Sequence, residues 1–192
     1  MILSNSEIFK ALKDGYIIIS PAPDILSLDK LGNPFNTTSL DLRLGDTLSI
    51  PIKDQPFSYD LRKGGIASFL KKMHERHPIN KEGGFTLEPG KFVLSNTMEK
   101  IHFPITEGGP CYCARVEGRS SYARIGLLVH FTAPTIHAGF NGTITLELMN
   151  FGNNAIVLYP GDYICQLIFE KVCGEIILTP SQFQGQTTPE GK

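Results

Sequence analysis

Tryptophan is absent from this sequence, and aromatic residues make up only 9% of it. No apolar run approaches the roughly 20 residues that a membrane-spanning helix requires, so we expect no membrane segment. Acidic and basic residues nearly balance, at a formal net charge of -1. Because the chain has no overall basic field, we do not expect it to bind nucleic acid by phosphate neutralisation, and any anion site must be local.

Cysteine is also scarce. The four cysteines, Cys111, Cys113, Cys165 and Cys173, form a Cys-x-Cys pair and two isolated apolar positions. This spacing differs from an evenly spaced disulfide framework, so we interpret them as buried thiols in a reducing compartment. Charged residues interrupt residues 1–16, which argues against a signal peptide there. These absences predict a soluble, cytoplasmic protein.

Several motifs of known chemistry are missing. The sequence lacks the His-x-Glu and Pro-Cys-x-x-Cys pattern that holds zinc in one class of hydrolytic enzymes. It also lacks a P-loop and a Gly-x-Ser-x-Gly nucleophile elbow. His74 and His77 do not have metalloprotease spacing, and we interpret them as part of a charged, solvated helix. We therefore expect no zinc and no metal ion held by protein side chains.

Glycine and proline, in contrast, are plentiful, at 19 and 13 residues, and they divide the apolar residues into short segments. The chain is long enough for one substantial core. We predict one domain over residues 1–178 and a flexible polar tail over 179–192. Helices are predicted at 4–13, capped by Ser4 or Ser6, and at 66–77.

Alternating or β-branched segments bounded by turn residues predict the strands. They are 17–19, 39–44, 47–52, 91–95, 110–116, 127–132, 143–149, 155–158 and 163–169. Turn signals fall at Gly118, Gly139, Asn141-Gly142, Gly152-Asn153 and Pro160-Gly161. This pattern predicts an all-β fold, a compact barrel or jelly roll, with a short N-terminal helix and one helical excursion.

The densest polar cluster covers residues 115–124. If a strand ends at Val116 and the chain turns at Gly118, Ser120 or Ser121 caps a short helix. Free N–H groups, hydroxyls and guanidiniums then form an anion site. The alternative is an ordinary helix cap with arginines at the surface.

A second polar feature lies on the predicted strand 143–149. Strict alternation places its apolar side chains on one face and Thr143, Thr145 and Glu147 on the other. Glu147 is thus a carboxylate in the middle of a strand. It is either a solvated strand residue or, beside Ser120 and Arg124, an oriented general base.

Four motifs occur in order along the chain: 118–124 (GRSSYAR), 129–133 (VHFTA), 139–147 (GFNGTITLE), and the pair 160–161 (PG) with 166–167 (QL). Residues 39–45 and 88–90 fit the same pattern, so the similarity covers nearly the whole chain. In this order the motifs resemble those of dCTP deaminases, within the dCTP deaminase and dUTPase superfamily. The resemblance implies a dUTPase-like distorted β-barrel and a homotrimer with active sites at subunit boundaries.

The resemblance also implies a reaction, the hydrolytic deamination of dCTP to dUTP and ammonia in deoxynucleotide metabolism. Glu147 would be the general base, Ser120 and the Ala133 carbonyl would hold the water, and Arg124 would orient Glu147. Mg²⁺ would be bound through the nucleotide triphosphate. The other implied substrate-binding residues are Arg119, Ser121, Tyr122, Ala123, Thr135, His137, Phe140, Thr145, Leu146, Gln166 and Gln186.

Within that set, Gln166 and Gln186 would hold phosphates, and the tail 179–192 would close over the site. The hairpin 133–140 would bind the base through its main chain, and Phe140 would stack under the deoxyribose. Inhibition by dTTP, common among members of the family, is a hypothesis for this chain.

The sequence departs from the family pattern at three places. His137 stands where many members and the dUTPases have an Asp near the sugar. Gln182 and Phe183 replace a common phosphate-binding Lys and a usual Tyr, and the loop 179–181 is short. We therefore favour a deaminase that releases dUTP. The alternatives are a bifunctional enzyme or dUTPase that releases dUMP and pyrophosphate, a nucleotide-binding trimer without catalysis, and a deaminase that acts on another nucleotide.

Overall fold

The computed structural model describes residues 1–24, 32–53, 58–179 and 183–191. Its helices are α1 (Asn5–Lys13), α2 (Ile66–Met73) and α3 (Ser120–Ala123), with a 3-10 turn at Leu61–Lys63. Its strands are β1 (Ile18–Ser20), β2 (Leu40–Arg43), β3 (Thr47–Pro51), β4 (His74–Pro78), β5 (Phe85–Leu87), β6 (Phe92–His102), β7 (Tyr112–Gly118), β8 (Leu127–Leu128), β9 (Thr135–Ile136), β10 (Asn141–Asn150), β11 (Ile156–Leu158) and β12 (Tyr163–Lys171). The predicted all-β character is confirmed.

The long strands belong to two antiparallel sheets. One sheet has the order β4-β3-β6-β10-β8, with β1 also paired to β6, and the other has the order β2-β12-β7-β9. Strands β5 and β11 form a separate pair. The fully buried rings of Phe103, just after β6, and Phe169, on β12, meet edge to face at 6.1 Å. The two sheets therefore share one apolar core.

Strands β6 and β10 form the longest pairing, which runs from Asn141 opposite His102 to Met149 opposite Phe92. The register shifts between Thr143 and Thr145, where β10 contains an irregularity. Apolar side chains of β10 at alternate positions are fully buried, while Glu147 is half-buried. The predicted alternation is confirmed from Ile144 to Leu148. Thr143, predicted on the polar face, is instead buried beside the irregularity.

Helix α1 forms where the sequence predicted it. The Ser4 hydroxyl accepts a hydrogen bond from the backbone N–H of Glu7 at 3.4 Å, so Ser4 rather than Ser6 is the cap. Ile8 and Ala11 bury one face of the helix against the core, as the amphipathic pattern requires.

The predicted helix 66–77 is wrong in its last four residues. Helix α2 ends at Met73, and residues 74–78 form β4, an edge strand hydrogen-bonded to β3. Its charged side chains are compatible with a helix surface and with a solvated edge strand. The pairing with β3 is a long-range contact that local periodicity does not contain.

The predicted turn at Asn141-Gly142 is also wrong, because these residues begin β10. A Cβ atom at Gly142 would lie 2.8 Å from the backbone oxygen of Gln186, so the glycine permits close approach of the C-terminal segment. Strand β6 extends well beyond the predicted end at residue 95, and β8 ends before the predicted residue 132.

Residues 183–191, the described part of the predicted tail, lie against the domain. Gln186 and Glu190 are buried, at 6% and 3% exposure. Gln182 and the loop residues 180–181 lie outside the described residues, and closure of the tail over a site stays a prediction. Within the described ranges, no helix combines the length and apolar character needed to cross a membrane.

Candidate active site

Glu147 lies in the middle of β10, and its carboxylate is held in place. Its Oε2 accepts a hydrogen bond from the backbone N–H of Phe131 at 2.8 Å, and its own N–H donates to the Val129 carbonyl at 3.0 Å. The Phe131 ring packs edge-on against Phe92 at 5.7 Å, which fixes the donor segment. One oxygen of a half-buried carboxylate is thus anchored by a charge-assisted bond, an arrangement that orients a base.

The hairpin 133–140, which is predicted to bind the nucleobase, follows Phe131, the residue whose N–H holds Glu147. From Phe131 the chain crosses to the other sheet, where the Pro134 carbonyl accepts the N–H of Val116 at 2.9 Å and β9 pairs with β7. It returns at Phe140, which is half-buried against the core. Of the predicted residues on this hairpin, Ala133, Thr135 and His137 are exposed. The structure therefore brings Glu147 and this hairpin together.

The polar bend after β7 begins later than predicted. Strand β7 continues to Gly118, Arg119 is the N-cap residue, and α3 begins at Ser120. The prediction that Ser120 or Ser121 caps the helix is therefore wrong. The Arg119 carbonyl accepts hydrogen bonds from the N–H groups of Tyr122 and Ala123, both at 3.0 Å. The helix therefore begins at Ser120, one residue before the start that a Ser120 cap would give. Ser120, Ser121, Ala123 and Arg124 are exposed.

The Arg119 guanidinium is fixed by contacts within the chain. Its Nη2 lies 3.2 Å from Oδ2 of Asp41, and its Nη1 donates to the Tyr163 carbonyl at 3.0 Å. The guanidinium carbon also lies 5.5 Å from the centre of the Tyr122 ring. Arg119 is therefore a pre-oriented cation at the base of the bend.

Residues on and just before β2 hold two side chains of the candidate site, Gln166 and Arg119. The sequence alone did not indicate these contacts. Ser39, just before β2, donates its hydroxyl to Oε1 of Gln166 at 2.7 Å, and Nε2 of Gln166 donates to the Gly118 carbonyl at 3.1 Å. Asp41, on β2, pairs with Arg119. Residues 39–45 match the family pattern in sequence, but only the pairing of β2 with β12 shows which residues they contact.

Burial raises the pKa of the Asp41 carboxyl, against the opposing effects of the Arg119 charge and a hydrogen bond from Asn36. Its side chain is only 7% exposed, whereas that of Arg119 is 33% exposed. The ionised carboxylate thus loses more by desolvation than it gains from its partners. Asp41 orients Arg119 at some expense in stability.

Gln186 lies beside β10. Its side-chain amide donates to the Thr143 carbonyl at 2.8 Å and to the Thr145 hydroxyl at 3.3 Å. Thr145 and Gln186, both predicted to bind substrate, are therefore neighbours. The Leu146 side chain is fully buried, so any contact of Leu146 with a substrate would have to use its main chain.

One predicted contact does not occur within the chain. Strand β8 follows the bend and pairs with Met149 and Asn150, so the bend lies beyond the end of β10. Glu147 is three residues inside that end, about 10 Å along the strand. Within the described part of the chain, no hydrogen bond or ion pair joins Glu147 to Ser120 or Arg124. The predicted contact concerns an adjoining subunit and stays a prediction.

Where the structure describes them, the donor groups of the candidate site do not form a metal site of their own. Among the described residues, no group of three or more His, Cys, Asp or Glu side chains could hold a metal ion. Mg²⁺ prefers carboxylate and water oxygens, whereas the bend offers hydroxyls and guanidiniums, which suit phosphate oxygens. These residues fit a Mg²⁺ ion carried by a triphosphate, and that assignment stays a prediction.

Replacing Asp41 by Asn tests the balance between burial and pairing. The pKa of the Asp41 carboxyl in the folded protein lies above its ordinary value of 3.8. Ionisation of Asp41 therefore lowers the stability of the fold as the pH rises from the ordinary pKa to the pKa in the folded protein. We expect the wild type to lose stability relative to Asp41→Asn as the pH rises above about 4, the ordinary pKa of the carboxyl. Urea denaturation midpoints of both proteins measure this difference.

Asp60→Asn is the matched control, because hydrogen bonds from Arg62 lower the pKa of the exposed Asp60 carboxyl. For that pair the wild type should instead gain stability relative to the variant as pH rises through the ordinary pKa. Parallel pH profiles for the wild type and Asp41→Asn would contradict the assignment for Asp41.

Known proteins are similar to this chain over nearly its whole length. The model of the family described as dCTP deaminase-like matches residues 2–172. A protein of Methanosphaera stadtmanae named "dCTP deaminase, dUMP-forming" is 34% identical over 98% of this chain and 91% of its own length. One of the same name from Coprothermobacter proteolyticus is 37% identical over 100% and 95%. A Rhodospirillum rubrum protein named "dCTP deaminase" is 35% identical over 90% and 83%.

The fold has a counterpart among solved structures. The crystal structure of 2'-deoxycytidine 5'-triphosphate deaminase from Agrobacterium tumefaciens matches with a TM-score of 0.63 at 20% identity. The match covers 90% of this chain and 48% of that chain, and at this identity it supports the fold alone. The predicted superfamily fold is confirmed. On the strength of the family match and of relatives more than 30% identical along almost their entire length, this chain belongs to the dCTP deaminase-like family.

Proposed function

We propose that this protein hydrolytically deaminates dCTP, with Glu147 as the general base. The observation that carries the proposal is the carboxylate of Glu147, held at one oxygen by the Phe131 N–H beside the exposed hairpin 133–140. The relatives support dCTP as the substrate, since the name "dCTP deaminase" occurs both with and without the addition "dUMP-forming". A fixed carboxylate next to main-chain groups that can bind a nucleobase suits proton transfer on a pyrimidine ring.

The reaction requires one base that moves two protons. Glu147 takes a proton from a water molecule as the water oxygen bonds to C4 of cytosine, and it passes this proton to N3. Glu147 then takes the remaining proton of the water, which is now on the new C4 hydroxyl, and delivers it to the amine. The C4–N bond breaks, ammonia leaves, and a uracil ring with a C4 carbonyl remains. Within this scheme Ser120 and the Ala133 carbonyl hold the water.

The same scheme needs a second subunit. Ser120 and Arg124 are exposed and lie beyond the end of β10 in their own chain, whereas the reacting carboxylate is inside that strand. A homotrimer would place the bend of one subunit beside Glu147 of the next. Arg124 would then orient Glu147 and offset the charge that develops on the substrate. Mg²⁺ would arrive on the triphosphate as part of the substrate.

Glu147→Gln should bind dCTP but lose turnover, because the amide cannot accept the proton of water. Loss of a general base costs about 10² to 10⁴ in rate. The measurements are ammonia release and dCTP affinity by calorimetry. Glu88→Gln, an exposed glutamate in a turn, is the matched control and should keep full activity. Substantial activity in Glu147→Gln would remove this residue from its role.

Mixed trimers test the shared site. Arg124→Ala and Glu147→Gln should each be inactive alone, because every site then lacks one residue. Co-expressed in equal amounts, they should regain about a quarter of wild-type activity, since about half of the subunits carry each intact residue. The measurement is ammonia release by the purified mixed assemblies. No recovery beyond that of the separate variants would mean that the two residues do not meet across subunits.

A second candidate function is deamination followed by hydrolysis of dUTP to dUMP and pyrophosphate. Relatives named "dCTP deaminase, dUMP-forming" favour it, whereas His137, exposed on the hairpin in place of the family's usual Asp, argues against it. We expect dUTP and ammonia from dCTP and Mg²⁺, without pyrophosphate. Stoichiometric dUMP and pyrophosphate, from dCTP and from added dUTP, would establish the bifunctional enzyme instead.

A further inference from the structure

The C-terminal segment 183–191 is hydrogen-bonded to the beginning of β10. The Gly185 N–H donates to the Asn141 carbonyl at 2.7 Å, and the Thr143 N–H donates to the Gln186 carbonyl at 3.0 Å. The Gln186 amide returns a bond to the Thr143 carbonyl at 2.8 Å. These contacts coincide with the irregularity of β10 between Thr143 and Thr145. The segment therefore occupies backbone groups of β10 at this position.

The far end of the segment is held by a buried carboxylate. The Glu190 side chain is 1% exposed, and its Oε2 accepts hydrogen bonds from Nε and Nη2 of Arg76 at 3.0 and 2.7 Å. Arg76 lies on β4, whose partner strand β3 carries Ser49. Burial acts to raise the pKa of Glu190, but hydrogen bonds from Arg76 and Ser49 outweigh it and leave the pKa below its ordinary value. Glu190 is thus an ionised group in a specific pocket.

The segment also contacts the polar face of β10. Between the two held ends, the Pro189 carbonyl accepts a hydrogen bond from the Thr145 hydroxyl at 3.2 Å, and Nε2 of Gln186 reaches the same hydroxyl at 3.3 Å. Thr145 is on the same face of β10 as Glu147, two residues or about 7 Å away. The segment therefore forms a wall next to the candidate base. A buried carboxylate without its partner is strongly disfavoured, so loss of Arg76 should release this wall.

We propose that the Arg76–Glu190 pair anchors the C-terminal segment against β10 and so positions Thr145 beside the substrate. The inference rests on the proposed function for its effect on catalysis, but the anchoring itself does not. Arg76 and Glu190 are positioning residues, since they act through Thr145 and not on the reacting atoms. Their role differs from that of Glu147, because they shape the wall of the site without moving protons.

The test uses Glu190→Gln and Arg76→Gln in the full chain. Both variants should expose the amides of residues 183–191 to faster hydrogen exchange. Both should also lower kcat/KM for dCTP by about 10- to 100-fold, mainly through KM, because the wall is misplaced while the base remains. Arg76→Lys keeps the positive charge and should recover part of the loss. Arg62→Gln breaks an ion pair with Asp60 of similar geometry at an exposed position, and it should change neither readout.

Unchanged exchange in residues 183–191 of Glu190→Gln and Arg76→Gln would overturn the anchor. Faster exchange with an unchanged KM would overturn the positioning role. If the wild type does not turn over dCTP, the proposed function fails separately, and affinity for dCTP measured by calorimetry replaces KM. Under that outcome, weaker binding in the two variants supports the proposal and equal binding overturns it.

Discussion

The register of β10 against β6 is the constraint on which the candidate site depends. Glu147 faces the site because Leu146 and Leu148, its neighbours on the strand, are fully buried in the core. A shift of one residue would bury the carboxylate and expose the leucines, so the apolar core holds the register. The cost of burying a charge and the gain from burying two leucines act in the same direction. The position of the candidate base is thus a consequence of core packing.

Around that strand, the site is supported by residues that would not touch a substrate. Phe131 supplies the N–H that orients Glu147, Asp41 fixes Arg119, and Ser39 fixes Gln166. Each of these contacts joins segments far apart in the sequence, and each limits a side chain that would otherwise sample several rotamers. Such support is what allows groups at a site to act without reorganisation. The raised pKa of Asp41 indicates that this orientation is obtained at some expense in stability.

The chain by itself carries two separate parts of the candidate site. One part comprises Glu147, the hairpin 133–140 that follows its hydrogen-bond donor Phe131, and the C-terminal segment 183–191 beside β10. The other comprises the bend at 119–124, which lies beyond the end of the same strand. An arrangement in which adjoining subunits complete each other's sites would make assembly and activity inseparable. It would also explain why Ser120, Ser121 and Arg124 are exposed at a surface turn, where packing within the chain does not require them.

The sequence by itself determined the all-β class, helix α1, the alternation of β10 and the ordered motifs that led to the family, because each depends on residues close together in the chain. Tertiary structure decided the rest. Residues 74–77 form a strand because β3 pairs with them, Gly142 accommodates the C-terminal segment, and Arg119 rather than a serine is the N-cap of α3. Likewise, Asp41 and Glu190 acquire their partners only through contacts across many residues. Local patterns define which structures a segment can adopt, whereas long-range hydrogen bonds and burial select among them.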